Sequence, residues 1–336
     1  MRIIIVISIL LEVVVLTVST NVSVDKYKIL NDGNLIPAVA LGTWADVSGL
    51  PKVKQSVIYA IEVGFRHLDT AHLYGNERLI GEALSTVFKR GIVTREEMFI
   101  TTKLDIAVPS RKKVVPALKE NLKRLGLDNV NLFLIHGPEN VFNYSNYDIL
   151  DIWKGMEDCK RLGLARSIGV SNFNSSHINR ILRYSKIRPA VNEIEVNPTR
   201  TNLDLVAYCQ SEGIVVMGYA PFGFLVPRPN SNITGIPPTF EDPILVKMAR
   251  KYGKETSQIN LRYQVNRNII PIPRSQNMTH ISLNLNLFDF DLTQKEVYTI
   301  NEFNRNLPVY AAPGDETIAV FRAAYETLLS LPDKYR

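Results

Sequence analysis

The sequence contains little cysteine. Only two of its 336 residues are cysteines, Cys159 and Cys209, and both lie in stretches with helical periodicity. Secreted proteins often depend on several disulfides, and two cysteines could form only one. We therefore predict two buried free thiols. A hydrophobic content of 46% is ample for a globular core.

Basic runs are also absent, although the chain has a formal net charge of +6 and a pI of about 9.1. Its lysines and arginines are scattered, with no run of five or more. Nucleic-acid-binding proteins usually concentrate positive charge in a patch or stripe. The sequence therefore predicts no nucleic-acid partner.

The N-terminal apolar run, residues 3–18, is too short for a typical membrane span. It contains Glu12, whose charge would be costly at the centre of a bilayer. Ser19 and Thr20 are small residues of the kind that precede a signal cleavage site. We predict a signal peptide over residues 1–20 and a secreted or lumenal protein without a stable membrane span. An uncleaved anchor is the alternative.

No linker rich in proline, glycine and serine divides the chain, so residues 21–336 are predicted to form one domain. Within it, short apolar runs alternate with longer segments of helical periodicity. The predicted strands are 38–41, 66–69, 99–103, 132–136, 167–170, 191–195, 215–219 and 269–272. The predicted helices are 53–63, 77–89, 112–125, 149–162, 177–184, 203–211 and 256–264.

Strands that alternate with helices in this way favour an α/β fold in which a parallel sheet closes into a (β/α)8 TIM barrel. An open dinucleotide-binding sheet is disfavoured because no strand is followed by a G-x-G-x-x-G turn. Residues 27–36, around Asn31-Asp32-Gly33-Asn34, predict an N-terminal hairpin. Residues 221–242 and 307–336 interrupt the alternation, and we expect them to form a lid and a C-terminal substrate loop.

Polar residues stand at the ends of three consecutive predicted strands, where barrel enzymes carry their active sites. They are Asp69 with the nearby Tyr74, Lys103, and His136. A tyrosine is a poor acid at neutral pH unless a cation stabilises its phenolate. Lys103 is the candidate cation, Asp69 the residue that holds it, and His136 a hydrogen-bonding partner for a substrate carbonyl.

Each of these residues also has a purely structural interpretation. Asp69 is consistent with a satisfied strand-end carboxylate, Lys103 with a solvated terminus, His136 with a core histidine and Tyr74 with a packing residue. Taken singly, the structural interpretation is favoured for each. Their joint occurrence at consecutive strand ends favours catalysis.

Three motifs resemble the aldo-keto reductases. They are Gly64-Phe-Arg-His-Leu-Asp-Thr-Ala-His-Leu-Tyr-Gly-Asn-Glu77, Leu132-Phe-Leu-Ile-His136 and Ile168-Gly-Val-Ser-Asn-Phe173. The resemblance runs from about Tyr27 to the C-terminus. It implies a barrel that binds NADPH or NADP+ and passes hydride to a carbonyl carbon, with Tyr74, Lys103, Asp69 and His136 as the catalytic set. It implies no metal site.

The resemblance also implies a set of cofactor contacts. Ser171 and Asn172 would bind the nicotinamide carboxamide, Tyr219 would stack under the ring, and Thr43 and Asp69 would lie near the ribose. Arg274 and Ser275 would hold the adenosine 2′-phosphate, where a guanidinium replaces the commoner lysine. His280 and Asn284 would meet the adenine.

Three positions depart from the family pattern. Glu193 stands where a glutamine usually joins the carboxamide contacts, and an ionised carboxylate cannot donate a hydrogen bond there. His280 replaces an arginine, which weakens the preference for NADP over NAD. Gly137 replaces a tryptophan of the substrate pocket, so we expect a wider pocket beside His136. Trp44 is retained and is expected to form an apolar wall.

We therefore expect a monomeric reductase of a bulky apolar or steroid-like aldehyde or ketone. Taken together with its predicted signal peptide, the chain resembles insect reductases that act on 3-oxo ecdysteroids. Two alternatives remain open at the level of sequence. One is a barrel with weak catalysis that serves in binding or structure, and the other is a reductase of small aldehydes or sugars.

Overall fold

The computed structural model describes residues 26–226, 238–310 and 315–335. The predicted signal peptide and residues 227–237 of the expected lid lie outside this part of the chain. The described residues begin with the predicted hairpin, in which β1 (Tyr27–Ile29) pairs antiparallel with β2 (Leu35–Pro37). The Leu30 amide donates to the Asn34 carbonyl at 2.9 Å, and Gly33 takes a positive φ of 84° that favours glycine. The hairpin prediction is confirmed.

Eight parallel strands follow, each paired with the next along the chain. They are β3 (Leu41–Gly42), β4 (His67–Asp69), β5 (Phe99–Lys103), β6 (Val130–Ile135), β7 (Ala165–Ser171), β8 (Val191–Glu195), β9 (Val215–Tyr219) and β10 (Ile269–Pro271). The barrel closes between its first and last strands, since the amides of Ala40 and Gly42 donate to the carbonyls of Pro271 and Pro273 at 3.1 and 3.0 Å. The (β/α)8 prediction is confirmed.

All seven predicted helices are present with small shifts at their ends. The helices are α1 (Leu50–Glu62), α2 (Glu77–Lys89), α3 (Arg111–Leu125), α4 (Ile149–Arg161), α5 (Ser175–Tyr184), α6 (Leu203–Ser211), α7 (Pro243–Tyr252), α8 (Thr256–Asn266), α9 (Met278–Leu285), α10 (Gln294–Asn301) and α11 (Asp315–Ser330). Helices α7, α9, α10 and α11 were not predicted. The sequence nevertheless contains a signal for the start of α10, because Thr293 and Glu296 form a capping box.

The hairpin closes the amino-terminal end of the barrel. Its Leu30 and Ile36 are buried in one apolar cluster with Leu132, Met217 and Ile270 from the strands. A larger apolar core lies between the strands and the helices, and the thiols of Cys159 and Cys209 are buried in it without a disulfide, as predicted. Closure at one end leaves the carboxyl ends of the strands for a site.

Helix α11 returns across the carboxyl end of the barrel and packs on a short 3-10 helix, His72–Tyr74. The contact is tight at Gly75, which has a φ of 63°. A Cβ atom there would lie 2.4 Å from Leu331 Cδ1. Only glycine therefore suits this position. Among the described residues, no helix is both long and apolar enough to cross a membrane.

Candidate active site

The structure brings the strand-end residues together in one cluster. Lys103 Nζ lies 2.8 and 2.9 Å from the two carboxylate oxygens of Asp69 and 3.1 Å from the hydroxyl of Tyr74. Lys103 is 1% exposed. The rings of Tyr74 and His136 meet edge to face with their centroids 5.9 Å apart. A tyrosine, its neighbouring cation and an imidazole therefore share one end of the barrel.

The segment that carries Tyr74 is fixed by the two residues that follow Gly75. The buried Asn76 side chain donates to the Thr43 carbonyl at 2.7 Å, which ties the segment to the end of β3. Glu77 accepts from Thr102 at 2.6 Å and forms an ion pair with Arg124 at 2.8 Å. These contacts explain why the long motif extends past Tyr74 to Asn76 and Glu77. Sequence reasoning did not predict this anchoring role.

Burial and charge set the proton affinities in the cluster. Although burial opposes a charge on Lys103, attraction by Asp69 and Glu193 raises the pKa of its ammonium well above the usual value. Burial raises the pKa of Tyr74, and Lys103 opposes that shift. Burial and the Lys103 charge lower the pKa of His136 well below its usual value. His136 is therefore a neutral imidazole at neutral pH, able to donate one hydrogen bond.

Glu193 also belongs to this cluster, which sequence reasoning did not predict. Its Oε1 lies 3.1 Å from Lys103 Nζ, on the strand next to Ser171, and the residue is 1% exposed. Its carboxyl also shares a hydrogen bond with the Asp69 carboxyl. Apart from that contact, its buried Oε2 has no hydrogen-bond partner among the described residues. Burial, together with repulsion by Asp69, raises the pKa of Glu193 to about 8.

The side chains predicted to hold a nicotinamide also converge. Asn172 Nδ2 donates to the His136 carbonyl at 2.9 Å and to Ser171 Oγ at 3.2 Å. The hydroxyl of Tyr219 donates to Asn172 Oδ1 at 2.8 Å. Asn172 adopts a φ of 64°, a left-handed conformation that asparagine tolerates. Thr43 is buried at the end of β3, where its hydroxyl donates to the Asp69 carbonyl at 2.9 Å.

The predicted phosphate contacts lie on the rim, around the start of α9. Arg274 is exposed, and its Nε donates to the Trp44 carbonyl at 2.8 Å. Its guanidinium carbon lies 5.2 Å from the centroid of the Trp44 ring. Ser275 Oγ accepts from the Asn277 amide at 3.1 Å, and Asn277 caps α9. Trp44 is 42% exposed and packs against Arg274, and its expected role as an apolar wall of the pocket stays a prediction.

The two adenine-side predictions fall on α9 itself, one helical turn apart. His280 is exposed in the first turn, where its amide donates to Asn277 Oδ1 at 3.2 Å. Asn284 is 3% exposed and faces inward. The two side chains differ in accessibility, although the sequence assigned both to one ligand group.

The predicted widening at Gly137 is wrong. A Cβ atom on Gly137 would lie 2.8 Å from the Phe321 ring and 2.7 Å from Glu139 Oε2. Phe321 comes from α11 and meets His136 edge to face, with centroids 5.3 Å apart. The space that a tryptophan would fill is thus already filled from the C-terminal helix. The cavity left beside it measures about 10 Å³.

A buried carboxylate secures the chain that leads to α11. Glu195 accepts from the amides of Val309 and Tyr310 at 2.8 and 3.3 Å, and from Asn197 Nδ2 at 2.9 Å. Tyr310 in turn meets Tyr219 edge to face. Sequence reasoning missed this contact. The available signal was the spacing of Glu193 and Glu195, since alternate residues of a strand share a face.

Comparisons with known proteins agree with this geometry. The model of the aldo/keto reductase family matches residues 38–305. The chain is 50% identical to aldo-keto reductase AKR2E4 of Bombyx mori over 284 residues, covering 82% of this chain and 92% of that protein.

Two solved structures are similar over most of their length. The crystal structure of Bombyx mori AKR2E4 in complex with NADP has a TM-score of 0.81 and 49% identity, covering 85% of this chain and 94% of the other. The structure of aldo-keto reductase AKR2E5 complexed with NADPH has a TM-score of 0.82 and 36% identity, covering 92% and 97%. This protein belongs to the aldo/keto reductase family.

Proposed function

We propose that the protein is an NADP(H)-dependent oxidoreductase that reduces an aldehyde or ketone to an alcohol. The observation that carries this proposal is the position of Lys103 Nζ between the Asp69 carboxylate and the Tyr74 hydroxyl. That arrangement stabilises a phenolate when Tyr74 gives up its proton. The complexes of the silkworm relatives with NADP and NADPH support the choice of cofactor.

The residues present fit such a cofactor. Apart from the contact between its carboxyl and Asp69, the buried Glu193 Oε2 has no partner among the described residues, as expected of a group that completes its hydrogen bonds with a ligand. It shares the site with Ser171, Asn172 and Tyr219, which supply further amide-binding groups. At the rim, Arg274 is an exposed guanidinium beside the start of α9, a combination suited to a phosphate.

The chain's own residues then have separate tasks. His136 is neutral and can donate a hydrogen bond to the carbonyl oxygen, polarising it. Tyr74 transfers its proton to that oxygen as negative charge develops, and its phenolate is left facing Lys103. Asp69 keeps the Lys103 ammonium charged and in place. Bound NADPH would supply the hydride that reduces the carbonyl carbon, leaving NADP+.

We propose an apolar carbonyl compound as the substrate. Around Tyr74 and His136, the wall contains Leu73, Val141 and Phe321 together with partly buried apolar residues of α11. A bulky or steroid-like ketone would need α11 to move, because Phe321 fills the space beside Gly137. That same contact favours a second candidate, reduction of small aldehydes.

Oxidation of NADPH with a panel of aldehydes and ketones tests the function. We expect turnover by the wild-type protein and a loss of at least about 10²-fold in kcat for Tyr74→Phe, which retains the ring but not the proton. Tyr59→Phe, whose hydroxyl contacts Ser282, is the matched control. Absence of turnover by the wild type, or full turnover by Tyr74→Phe, would overturn the proposal.

The relative rates within that panel decide between the candidate substrates. Faster turnover of steroid-like ketones than of short aldehydes supports the bulky substrate, and the reverse order supports the small one.

We also propose that the protein enters the secretory pathway and acts as a monomer. The apolar run at residues 3–18, with small residues after it, supports the first statement. N-terminal sequencing of protein expressed in insect cells tests it, with cleavage near Thr20 as the expected result. Sedimentation of the purified protein tests the second, and a dimer would contradict it.

A further inference from the structure

Two buried carboxylates compete for one buried ammonium in this site. Lys103 Nζ contacts both oxygens of Asp69, at 2.8 and 2.9 Å, and Glu193 Oε1 at 3.1 Å. It also contacts the Thr70 carbonyl at 3.3 Å and the Tyr74 hydroxyl at 3.1 Å. An ammonium has only three protons to donate. The five contacts therefore cannot all be full hydrogen bonds at once.

The charges do not balance either. With Asp69 and Glu193 both ionised, one ammonium leaves the cluster with a net charge of −1 away from water. Two close carboxylates avoid this by retaining a proton between them, and that proton belongs to the pair rather than to one residue. Burial raises the pKa of both carboxyls here. The extra proton is therefore present at neutral pH.

We propose that Glu193 is a positioning residue that controls the acidity of Tyr74 through Lys103. While the carboxyl pair holds its extra proton, Lys103 faces one negative charge and can stabilise the Tyr74 phenolate. Once the pair loses that proton, the second negative charge offsets Lys103, and Tyr74 becomes a poorer acid. Reduction of the carbonyl therefore slows as the pair ionises. This inference rests on the proposed function only where it concerns the rate.

The surroundings of Glu193 contain few other groups that can compensate its charge. Asp69 and Lys103 face it from β4 and β5, and Tyr74 from the 3-10 helix. From β9, Tyr219 faces it, and the Glu193 charge helps to raise the pKa of that phenol. From β7, Ser171 donates to the Glu193 backbone carbonyl rather than to its carboxyl. Lys103 is thus the cation paired with Glu193 in the described chain.

Glu195 provides a matched control two residues along the same strand. It is also a buried glutamate with a raised pKa, but it binds backbone amides of the C-terminal segment. Replacing Glu195 by glutamine removes a buried carboxyl without touching Lys103. An effect seen in Glu193→Gln and absent from Glu195→Gln is therefore due to the cluster.

The first measurement is infrared difference spectroscopy of the protein without cofactor or substrate. At neutral pH we expect a carbonyl-stretching band of a protonated carboxyl group that Glu193→Gln removes and Glu195→Gln leaves. The band should disappear as the pH rises through about 8. Absence of the band, or its persistence in Glu193→Gln, would overturn the proposal. This test does not depend on the proposed reaction.

The second measurement is the pH profile of kcat for carbonyl reduction. In the wild type we expect a fall of up to about tenfold per pH unit above the ionisation of the pair. We expect this alkaline limb to be missing in Glu193→Gln, in which only Asp69 opposes Lys103. An unchanged limb in Glu193→Gln would refute the control of Tyr74. Failure of every carbonyl substrate would instead refute the proposed function, and the infrared result would stand.

Discussion

The two sides of the site are built differently. On one side Asp69 and Lys103 stand on the adjacent strands β4 and β5, and Glu193 stands on β8. All three are almost fully buried and are held by ionic contacts of 2.8 to 3.1 Å. On the other side Phe321 and Arg274 come from the last third of the chain. Phe321 is held by apolar contacts, and Arg274 lies exposed on the rim.

This difference separates reaction from recognition. A buried ionic cluster on strands is rigid, and removing one member leaves the others uncompensated. A helix or loop at the rim can change its contacts without disturbing the strands. We therefore expect substitutions on the strand side to change rate and stability, and those on the other side to change which cofactor and substrate are used.

The largest effect is expected for Lys103→Met. Without the ammonium, the Tyr74 phenolate loses its stabilising charge, and we expect kcat to fall by about 10² to 10³-fold. At pH 8 the free energy of unfolding should decrease by about 3–5 kcal/mol, because Asp69 and Glu193 remain buried without a cation. Steady-state kinetics and denaturant unfolding measure the two effects.

The matched control for Lys103→Met is Lys54→Met. Lys54 forms a surface ion pair with Glu82 at 2.9 Å, and both side chains are more than a third exposed. Such a pair contributes at most about 1 kcal/mol. Equal losses of kcat and of unfolding free energy in the two variants would mean that burial of the Lys103 cluster does not increase the effect of removing a cation.

Arg274→Ala tests the rim on the other side. If its guanidinium binds the 2′-phosphate, KM for NADPH should rise by about 10- to 100-fold, since hydrogen bonds to charged groups contribute about 1.5–3 kcal/mol. NADH, which lacks that phosphate, is the internal control and should show little change. Equal increases in KM for both cofactors would indicate that Arg274 acts instead by supporting Trp44, whose carbonyl it binds.

The sequence could predict the strand side because its signals are local. Asp69, Lys103 and His136 each follow a recognisable apolar run, and the barrel topology brings adjacent strand ends together. The contact between Phe321 and Gly137 joins positions 184 residues apart by number, and no periodicity specifies it. The pairing of Glu193 with Lys103 could not be predicted either, because a charge balance depends on side-chain distances rather than on spacing along the chain.

Phe321→Ala tests how far the C-terminal helix restricts the substrate. Removing the ring opens the space beside Gly137, so kcat/KM for bulky ketones should rise by about tenfold relative to short aldehydes. A change of that size corresponds to the contacts of about one to two methylene groups. Val320→Ala, at a neighbouring exposed position of α11, is the control. A similar change for both substrate sizes would show that Phe321 supports His136 rather than restricting the pocket.

The dependence of stability on pH returns to the strand side and tests the sign of its charge balance. The folded protein binds a proton at the Asp69–Glu193 pair more tightly than the unfolded chain does, because burial raises both pKa values. Stability should therefore fall as the pH rises from about 4.5 through about 8, by roughly 1 kcal/mol per pH unit within that window. Glu193→Gln should remove this slope, making the variant more stable than the wild type at pH 8 and similar to it at pH 5.

Glu296 supplies the opposite sign in the same fold. Although partial burial opposes ionisation, its hydrogen bonds to Lys251, Tyr252 and Thr293 lower its pKa to about 2. Its contribution to stability is therefore present above the unfolded pKa and is lost as the pH falls towards 2. Glu296→Gln should destabilise the protein at pH 8, where Glu193→Gln stabilises it. Denaturant unfolding at pH 5 and pH 8 compares the two variants, and destabilisation by both of them at pH 8 would contradict the assigned charge state of Glu193.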